Sequence, residues 1–119
     1  MPHIILEASA NVMETNGKIA QILSDCQDLL VKRLPTKLES CKSRAILHDI
    51  YVLGDNNPNN AFAHLTVKIL KGRAPELIKE VALELQQILR DGLHKTKEHL
   101  QLAISVEIAE LNDSYAPFI

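Results

Sequence analysis

The chain has 119 residues, of which 46% are hydrophobic and 24% are charged, a composition that is typical of one globular domain over residues 1–119. Thirteen Lys and Arg against fifteen Asp and Glu give a formal net charge of -2, too balanced for long-range attraction to a nucleic acid or an anionic membrane. No basic segment precedes an apolar run at the N-terminus, and no stretch approaches the roughly 20 apolar residues of a membrane span, so we expect a cytoplasmic protein.

The first predicted elements are a strand and a helix. Residues 3–8 form a short apolar run that favours a buried strand, and Asn16-Gly17 predicts a turn before the helix. The helix has one apolar stripe at spacings of three and four, and Pro35 ends it. The stripe consists of Ile19, Ile22, Leu23, Cys26, Leu29 and Leu30. Because the chain has only two cysteines, we expect no disulfide framework and interpret Cys26 as a core residue.

Two strands separated by a loop follow in the middle of the chain. Residues 44–53 are rich in Ile, Val, Leu and Tyr, and the turn formers at 54–60 end them. The next strand, Phe62 to Leu70, alternates between two kinds of side chain. Leu65, Val67 and Ile69 point one way, and Phe62, His64, Thr66 and Lys68 point the other. This alternation predicts that the two sides of the strand lie in different environments.

The C-terminal part predicts a second helix and a last strand. An apolar stripe from Leu77 to Leu89 indicates a helix that ends in the basic stretch around Lys95 and Lys97. Residues 100–110 alternate as a strand, with Leu102, Ile104, Val106 and Ile108 on one face. The tail 111–119 has neither period, and docking on a neighbouring subunit and fraying both remain open for it.

The order of these elements predicts an α+β fold of the form β-α-β-β-α-β. Right-handed crossovers place both helices on one face of a four-stranded sheet. The residues on the other face are too mixed for a dry core and too small for an ordinary solvated surface. They include Phe62, His64, Thr66, Ala103, Ser105 and Glu107. We therefore expect copies of the chain to cover this face in a symmetric homo-oligomer.

Several segments together resemble one known family, the 5-carboxymethyl-2-hydroxymuconate isomerases of the tautomerase superfamily. They are Pro2-His3-Ile4, Lys42-Ser43-Arg44, residues 61–69, Gly72-Arg73 and residues 105–111. The resemblance implies a trimer with active sites near the subunit interfaces, a small carboxylate substrate and no cofactor. It also implies that Pro2, exposed by removal of Met1, is the acid-base catalyst, and that Arg44 and Arg73 bind the substrate.

The chemistry of such an isomerase fits these residue types. Moving a proton between two conjugated atoms needs one base with a pKa near the working pH, and a free α-amino group, at about 7.7 to 8.0 in model peptides, starts close to it. Arg44, Arg73 and Lys42 are candidates to hold the carboxylates. Lys42 departs from the family, which has arginine at this position. An ammonium group cannot form the bidentate pair of hydrogen bonds that a planar guanidinium makes with a carboxylate.

Each candidate also has a purely structural interpretation. A proline at position 2 is often without function, and arginines at strand and loop ends are usually solvated charges. The five histidines show no zinc-binding spacing, so we expect no metal site. His3 and His64 are expected to form hydrogen bonds on the mixed sheet face, where His3 also adjoins the proposed base, and Glu107 is expected to join an interface ion pair.

Three functions remain open at this stage. The first is an isomerase of the carboxymethyl-hydroxymuconate type that acts in the breakdown of aromatic compounds. The second is a tautomerase of another small oxo acid, such as a phenylpyruvate-like compound, which the Lys42 replacement favours. The third is a catalytically inactive trimeric binding protein of the same fold. If Met1 stays in place, the Pro2 nitrogen is an amide without a usable lone pair, and the third function is favoured.

Overall fold

A computed structural model describes residues 1–118 as one four-stranded sheet with its helices on one side. The strands are β1 (His3–Ser9), β2 (Lys42–His48), β3 (Asn60–Ile69) and β4 (Gln101–Glu110), and the helices are α1 (Asn16–Arg33), α2 (Pro75–Gly92) and α3 (His94–His99). The strand order is β2-β1-β3-β4, with β1 parallel to β2, β3 parallel to β4, and β1 antiparallel to β3. The predicted α+β class and β-α-β-β-α-β order are confirmed.

The core lies between the sheet and the two long helices. α1 and α2 contact each other, and each also contacts the sheet, α1 at β2 and α2 at β4. The alternation predicted for β3 is confirmed, because Leu65 and Val67 are fully buried while His64 and Thr66 lie on the other side. The thiol of Cys26 is also in the core, and burial, followed by the nearby Asp25, raises its pKa to about 12.

α1 begins earlier than the sequence predicts. The hydroxyl of Thr15 accepts a hydrogen bond from the Lys18 backbone N–H at 3.2 Å, which makes Thr15 the N-cap. Asn16 and Gly17 therefore belong to the first turn of the helix and do not form a separate turn before it. The expectation was wrong because Asn-Gly is a strong turn pair, whereas the capping hydroxyl precedes it by one residue.

The second strand is shorter than the predicted 44–53, because β2 begins at Lys42 and ends at His48. Its partner β1 ends at Ser9, and the last backbone link is the Ala10 N–H to the His48 carbonyl at 2.9 Å. Beyond this point β2 has no partner for its backbone. The apolar residues that follow are exposed, with Ile50 95% and Val52 75% accessible.

The C-terminal helical segment is broken in two at Leu93. Thr96, on α3, is fully buried and its hydroxyl hydrogen-bonds to the Glu14 carboxylate, which also accepts from the Lys95 and Thr96 backbone N–H groups. The basic stretch around Lys95 and Lys97 therefore forms a separate six-residue helix.

Within residues 1–118, no helix combines the length and the apolar character that crossing a bilayer requires.

Candidate active site

The sheet face opposite the helices is called the open face. The candidate site lies on this face, at the N-terminal end of β1. The strand register places Lys42 of β2 on one side of His3 and Lys68 of β3 on the other. Arg44, two residues after Lys42, is on the same face of the edge strand. Three cationic side chains thus share this corner of the sheet with the chain terminus.

Pro2 is buried where the chain enters β1. Its carbonyl accepts a hydrogen bond from the Lys42 backbone N–H at 3.0 Å, so β2 fixes the position of the ring. With Met1 in place, the Pro2 nitrogen is part of an amide bond. The catalytic role predicted for Pro2 thus requires removal of Met1.

The amino group of Met1 reports the electrostatics next to Pro2. Partial burial is the largest cause that lowers the pKa of this group from its usual value of 8.0. The charge of Lys42 lowers the pKa further, and so does that of Arg73, whereas Cys41 acts in the opposite direction. Two of the predicted substrate-binding cations are therefore close enough to act on an amino group at this end of the chain.

Arg73 lies in the loop between β3 and α2, after Gly72, whose φ of 114° suits a residue without a Cβ. One Nη of Arg73 donates to the Leu70 carbonyl at 2.8 Å, which anchors the side chain to the end of β3. Its Nε is buried and has no partner in the part of the chain that the structure describes. The guanidinium thus keeps hydrogen-bonding capacity for another group.

His3 connects Arg44 to the C-terminal tail. Arg44 Nη1 is 3.0 Å from His3 Nδ1, and His3 Nε2 is 2.9 Å from the hydroxyl of Tyr115. A guanidinium only donates, so Nδ1 must be the acceptor and the proton of the neutral ring is on Nε2. Burial lowers the pKa of His3, and Arg44, Lys42, the terminal amino group and Lys68 lower it further, which agrees with a neutral ring.

The tail returns to its own chain. The Leu111 N–H donates to the Ile69 carbonyl at 2.7 Å, and the Tyr115 ring meets the His3 ring edge-on with centroids 5.8 Å apart. The Tyr115 O–H donates to the sulfur of Met1 at 2.8 Å. Sequence reasoning missed Tyr115 as a site residue, because the tail has neither a helical nor an alternating period. Ile119 lies outside the described residues.

Two further histidines of the open face pair with polar residues on neighbouring strands. His64 is 2.6 Å from the Ser105 hydroxyl and 3.7 Å from the Glu107 carboxylate, and His48 is 2.7 Å from Glu7. The prediction that His3 and His64 form hydrogen bonds on this face is confirmed. In residues 1–118, no three His, Cys, Asp or Glu side chains come together as metal ligands.

Comparisons with known proteins give one consistent result. The family model described as 5-carboxymethyl-2-hydroxymuconate isomerase matches residues 2–117. The 5-carboxymethyl-2-hydroxymuconate Delta-isomerase of Escherichia coli is 29% identical over an alignment of 119 positions, which covers 94% of this chain and 88% of that protein. The crystal structure of a 5-carboxymethyl-2-hydroxymuconate isomerase from Deinococcus radiodurans R1 has a TM-score of 0.86 at 29% identity, covering 97% of this chain and 86% of that one.

A more distant structure shares the fold alone. The structure of the Q0 fused 4-OT wild type symmetric trimer has a TM-score of 0.72 at 18% identity, over 94% of this chain and 87% of that chain. The likeness thus spans nearly the whole chain in each comparison.

Proposed function

Because the chain belongs to the 5-carboxymethyl-2-hydroxymuconate isomerase family, we propose that it moves a proton within an unsaturated hydroxy- or oxo-carboxylic acid of the 5-carboxymethyl-2-hydroxymuconate type. After removal of Met1, the nitrogen of Pro2 takes the proton from one carbon and returns it to a conjugated one. No cofactor takes part, because both transfers need only one base.

The observation that carries this proposal is the environment of the chain terminus. An amino group there has a lowered pKa, because it is partly buried and Lys42 and Arg73 are nearby. A lower pKa leaves more of the amine unprotonated at neutral pH, which is the form that accepts a proton. The Pro2 nitrogen is one residue further along the chain, and the Pro2 carbonyl accepts a hydrogen bond from the Lys42 N–H at 3.0 Å, which holds the residue in place.

The same cations serve the substrate. Deprotonation next to a conjugated carbonyl places negative charge on oxygen, and positive groups fixed before the reaction stabilise that charge. Within residues 1–118, Arg73 Nε has no hydrogen-bond partner, and Lys42 Nζ makes only a long contact of 3.4 Å, to the Ser40 carbonyl. We assign carboxylate binding to Arg73, Lys42 and Arg44.

We further propose that the protein is a homo-oligomer, with a trimer as the expected form. One protein of the same fold, the Q0 fused 4-OT wild type, is a symmetric trimer. The open face carries Ile46 at 46% exposure, and the loop after β2 exposes Ile50 almost completely. Apolar side chains exposed in this way favour burial against further copies of the chain.

A specific observation favours a second candidate, a tautomerase acting on a smaller oxo acid. The ammonium group of Lys42 stands where the resembling family has arginine, and a lysine grips a carboxylate less specifically than a guanidinium. A substrate with fewer carboxylates needs fewer guanidinium groups to bind it. The two candidates are separated by comparing kcat/KM for 5-carboxymethyl-2-hydroxymuconate, a tricarboxylate, with kcat/KM for phenylenolpyruvate, a monocarboxylate. The higher value identifies the preferred substrate.

The proposal is tested on the processed protein, with removal of Met1 first verified by intact mass. An added alanine ahead of Pro2 keeps the proline but turns its nitrogen into an amide, so we expect kcat/KM to fall by about 10²- to 10⁴-fold, the worth of a general base. Pro2→Ala leaves a primary amine and is expected to lose part of the activity. The control Pro58→Ala, in the exposed loop before β3, should match the wild type.

Two outcomes would contradict the proposal. One is a native protein that keeps Met1 in the cell, because its Pro2 nitrogen has no lone pair to offer. The other is a processed protein whose isomerisation rate is the same with and without the added alanine. The first outcome favours a catalytically inactive binding protein of this fold, and the second favours a catalyst whose base is a group other than the Pro2 nitrogen.

A further inference from the structure

Tyr115 ends a chain of hydrogen bonds that begins at Arg44. Arg44 donates to His3 Nδ1 at 3.0 Å, and the His3 Nε2–H donates to the Tyr115 oxygen at 2.9 Å. Since that oxygen already accepts from His3, its own proton points away from the ring, towards Met1 Sδ at 2.8 Å. The direction of every donor in this chain follows from the fact that a guanidinium cannot accept.

The acceptor at the end of this chain is a poor one. A thioether sulfur is a weak hydrogen-bond acceptor. Under the proposed function this sulfur is lost when Met1 is removed from the chain. The hydroxyl then points a donor proton into the space beside Pro2 that the Met1 side chain had filled. Donors in a chain of hydrogen bonds strengthen one another, so this hydroxyl is a better donor than an isolated phenol.

The charges around that space favour an anionic acceptor. Lys42 and Lys68 flank His3 in the strand register, and Arg44 is bonded to His3 itself. A cavity of about 420 Å³ next to the tail is lined by Lys68 and Tyr115 and also by the acidic Glu110. A small dicarboxylate fits a cavity of this size, and its negative charge is attracted by Lys68 in the lining and by Lys42 and Arg44, which lie outside the lining and flank or contact His3.

We propose that Tyr115 binds the substrate: in the processed protein, its hydroxyl donates a hydrogen bond to a carboxylate oxygen in the place of the Met1 sulfur. The hydroxyl keeps its proton throughout, and His3 is a positioning residue that holds the hydroxyl in this direction. This inference rests on the proposed function, because Met1 must be removed.

Kinetics give the first test. Tyr115→Phe keeps the ring and its edge-on contact with His3 and loses only the hydroxyl. We expect KM to rise about 10- to 100-fold with kcat changed less than about twofold, because the hydrogen bond is made equally in the ground state and the transition state. Tyr51→Phe, which changes the only other tyrosine in the chain, is the control and should keep the wild-type KM.

Tyrosine emission gives a second test that does not need activity. The chain has no tryptophan and two tyrosines, so in the processed Tyr51→Phe protein all emission comes from Tyr115. We expect adipate, a dicarboxylate that does not absorb with tyrosine, to change this emission saturably. The midpoint of the change should equal the inhibition constant of adipate in the isomerase assay.

The failures of the two proposals are distinguishable. The role of Tyr115 is overturned, and that of Pro2 is left intact, by either of two results. One is an unchanged KM in Tyr115→Phe. The other is a Tyr115 emission that does not change with adipate at concentrations at which adipate inhibits the isomerase. A processed protein without isomerase activity whose Tyr115 emission still responds to adipate overturns the proposed function and keeps Tyr115 as an anion-binding donor.

Discussion

Under the proposed function, the Pro2 nitrogen accepts a proton only while it is unprotonated, so we expect the cations around it to set the acid limit of the reaction. Burial, Lys42 and Arg73 lower the pKa of an amino group at this end of the chain. A lowered pKa keeps the base active as the pH falls towards that pKa, and activity is lost below it. We therefore predict that Lys42→Gln, which removes a positive charge, raises the Pro2 pKa and moves the acid limb of kcat/KM to higher pH.

The pH profile separates this effect from weaker substrate binding. Loss of a binding group lowers kcat/KM at every pH, whereas a changed pKa moves the position of the limb. Lys18→Gln, on the first turn of α1 and remote from the terminus, should leave the profile in place. An acid limb that stays where it is in Lys42→Gln would show that Lys42 does not act on the base.

The positions of the candidate site residues were predictable from the sequence to different degrees. Pro2, Lys42, Arg44 and Arg73 stand in motifs that carry the family resemblance, and the structure places all four near the N-terminal end of β1 or the loop after β3. Tyr115 was not predictable, because its position depends on a tail that folds back through single hydrogen bonds. No periodic pattern encodes such a contact.

At the scale of the elements, α1 and α2 pack closely at Gly92. A Cβ there would lie 2.5 Å from Ile22 Cγ1 and 2.7 Å from Cδ1, too near for any ordinary packing. We predict that Gly92→Ala lowers the free energy of unfolding by about 1–3 kcal/mol, the usual cost of overpacking a core. Urea denaturation at fixed protein concentration measures this change.

Gly17→Ala is the matched control for this packing argument. Gly17 is also in a helix, but its Cβ would meet only the Thr15 hydroxyl at 3.9 Å. We expect its free energy of unfolding to stay the same or to rise by less than about 1 kcal/mol, because alanine favours the helix. Equal urea midpoints for Gly92→Ala and Gly17→Ala would show that α1 and α2 move apart with little loss in the free energy of unfolding.

The existence of each long element was predictable from its apolar period, while several boundaries were not. β3 and β4 alternate, and α1 and α2 carry apolar stripes, so burial alone specifies them. The end of β2 at His48 depends on where β1 stops, and the break at Leu93 depends on Glu14 from another part of the chain. Both boundaries follow from tertiary contacts that a local pattern does not contain.

At the scale of the whole molecule, the open face carries the proposed contact between subunits. We predict that the wild-type protein has three times the 13.3 kDa mass of the chain in light scattering, and that Ile46→Lys reduces this mass. Lysine at 46 lies beside Glu7 in the register, so the single chain should stay folded while the charge opposes burial between subunits.

Leu83→Lys provides the comparison for the assembly. Leu83 is 58% exposed on α2, and Ile46 is 46% exposed, so the two changes are chemically alike on opposite sides of the sheet. Leu83→Lys should keep the mass of the wild type. Dissociation by Leu83→Lys alone would place the subunit contact on the helices and contradict an interface at the open face.

Nitrogen NMR of protein labelled at proline tests the role of Pro2 most directly, because it follows the ring nitrogen itself. We predict that the Pro2 signal titrates as a secondary amine, with a pKa below the usual value for a chain terminus and equal to the acid limb of kcat/KM. A Pro2 signal that stays that of an amide at every pH, in a protein that nonetheless catalyses the isomerisation, would contradict the account.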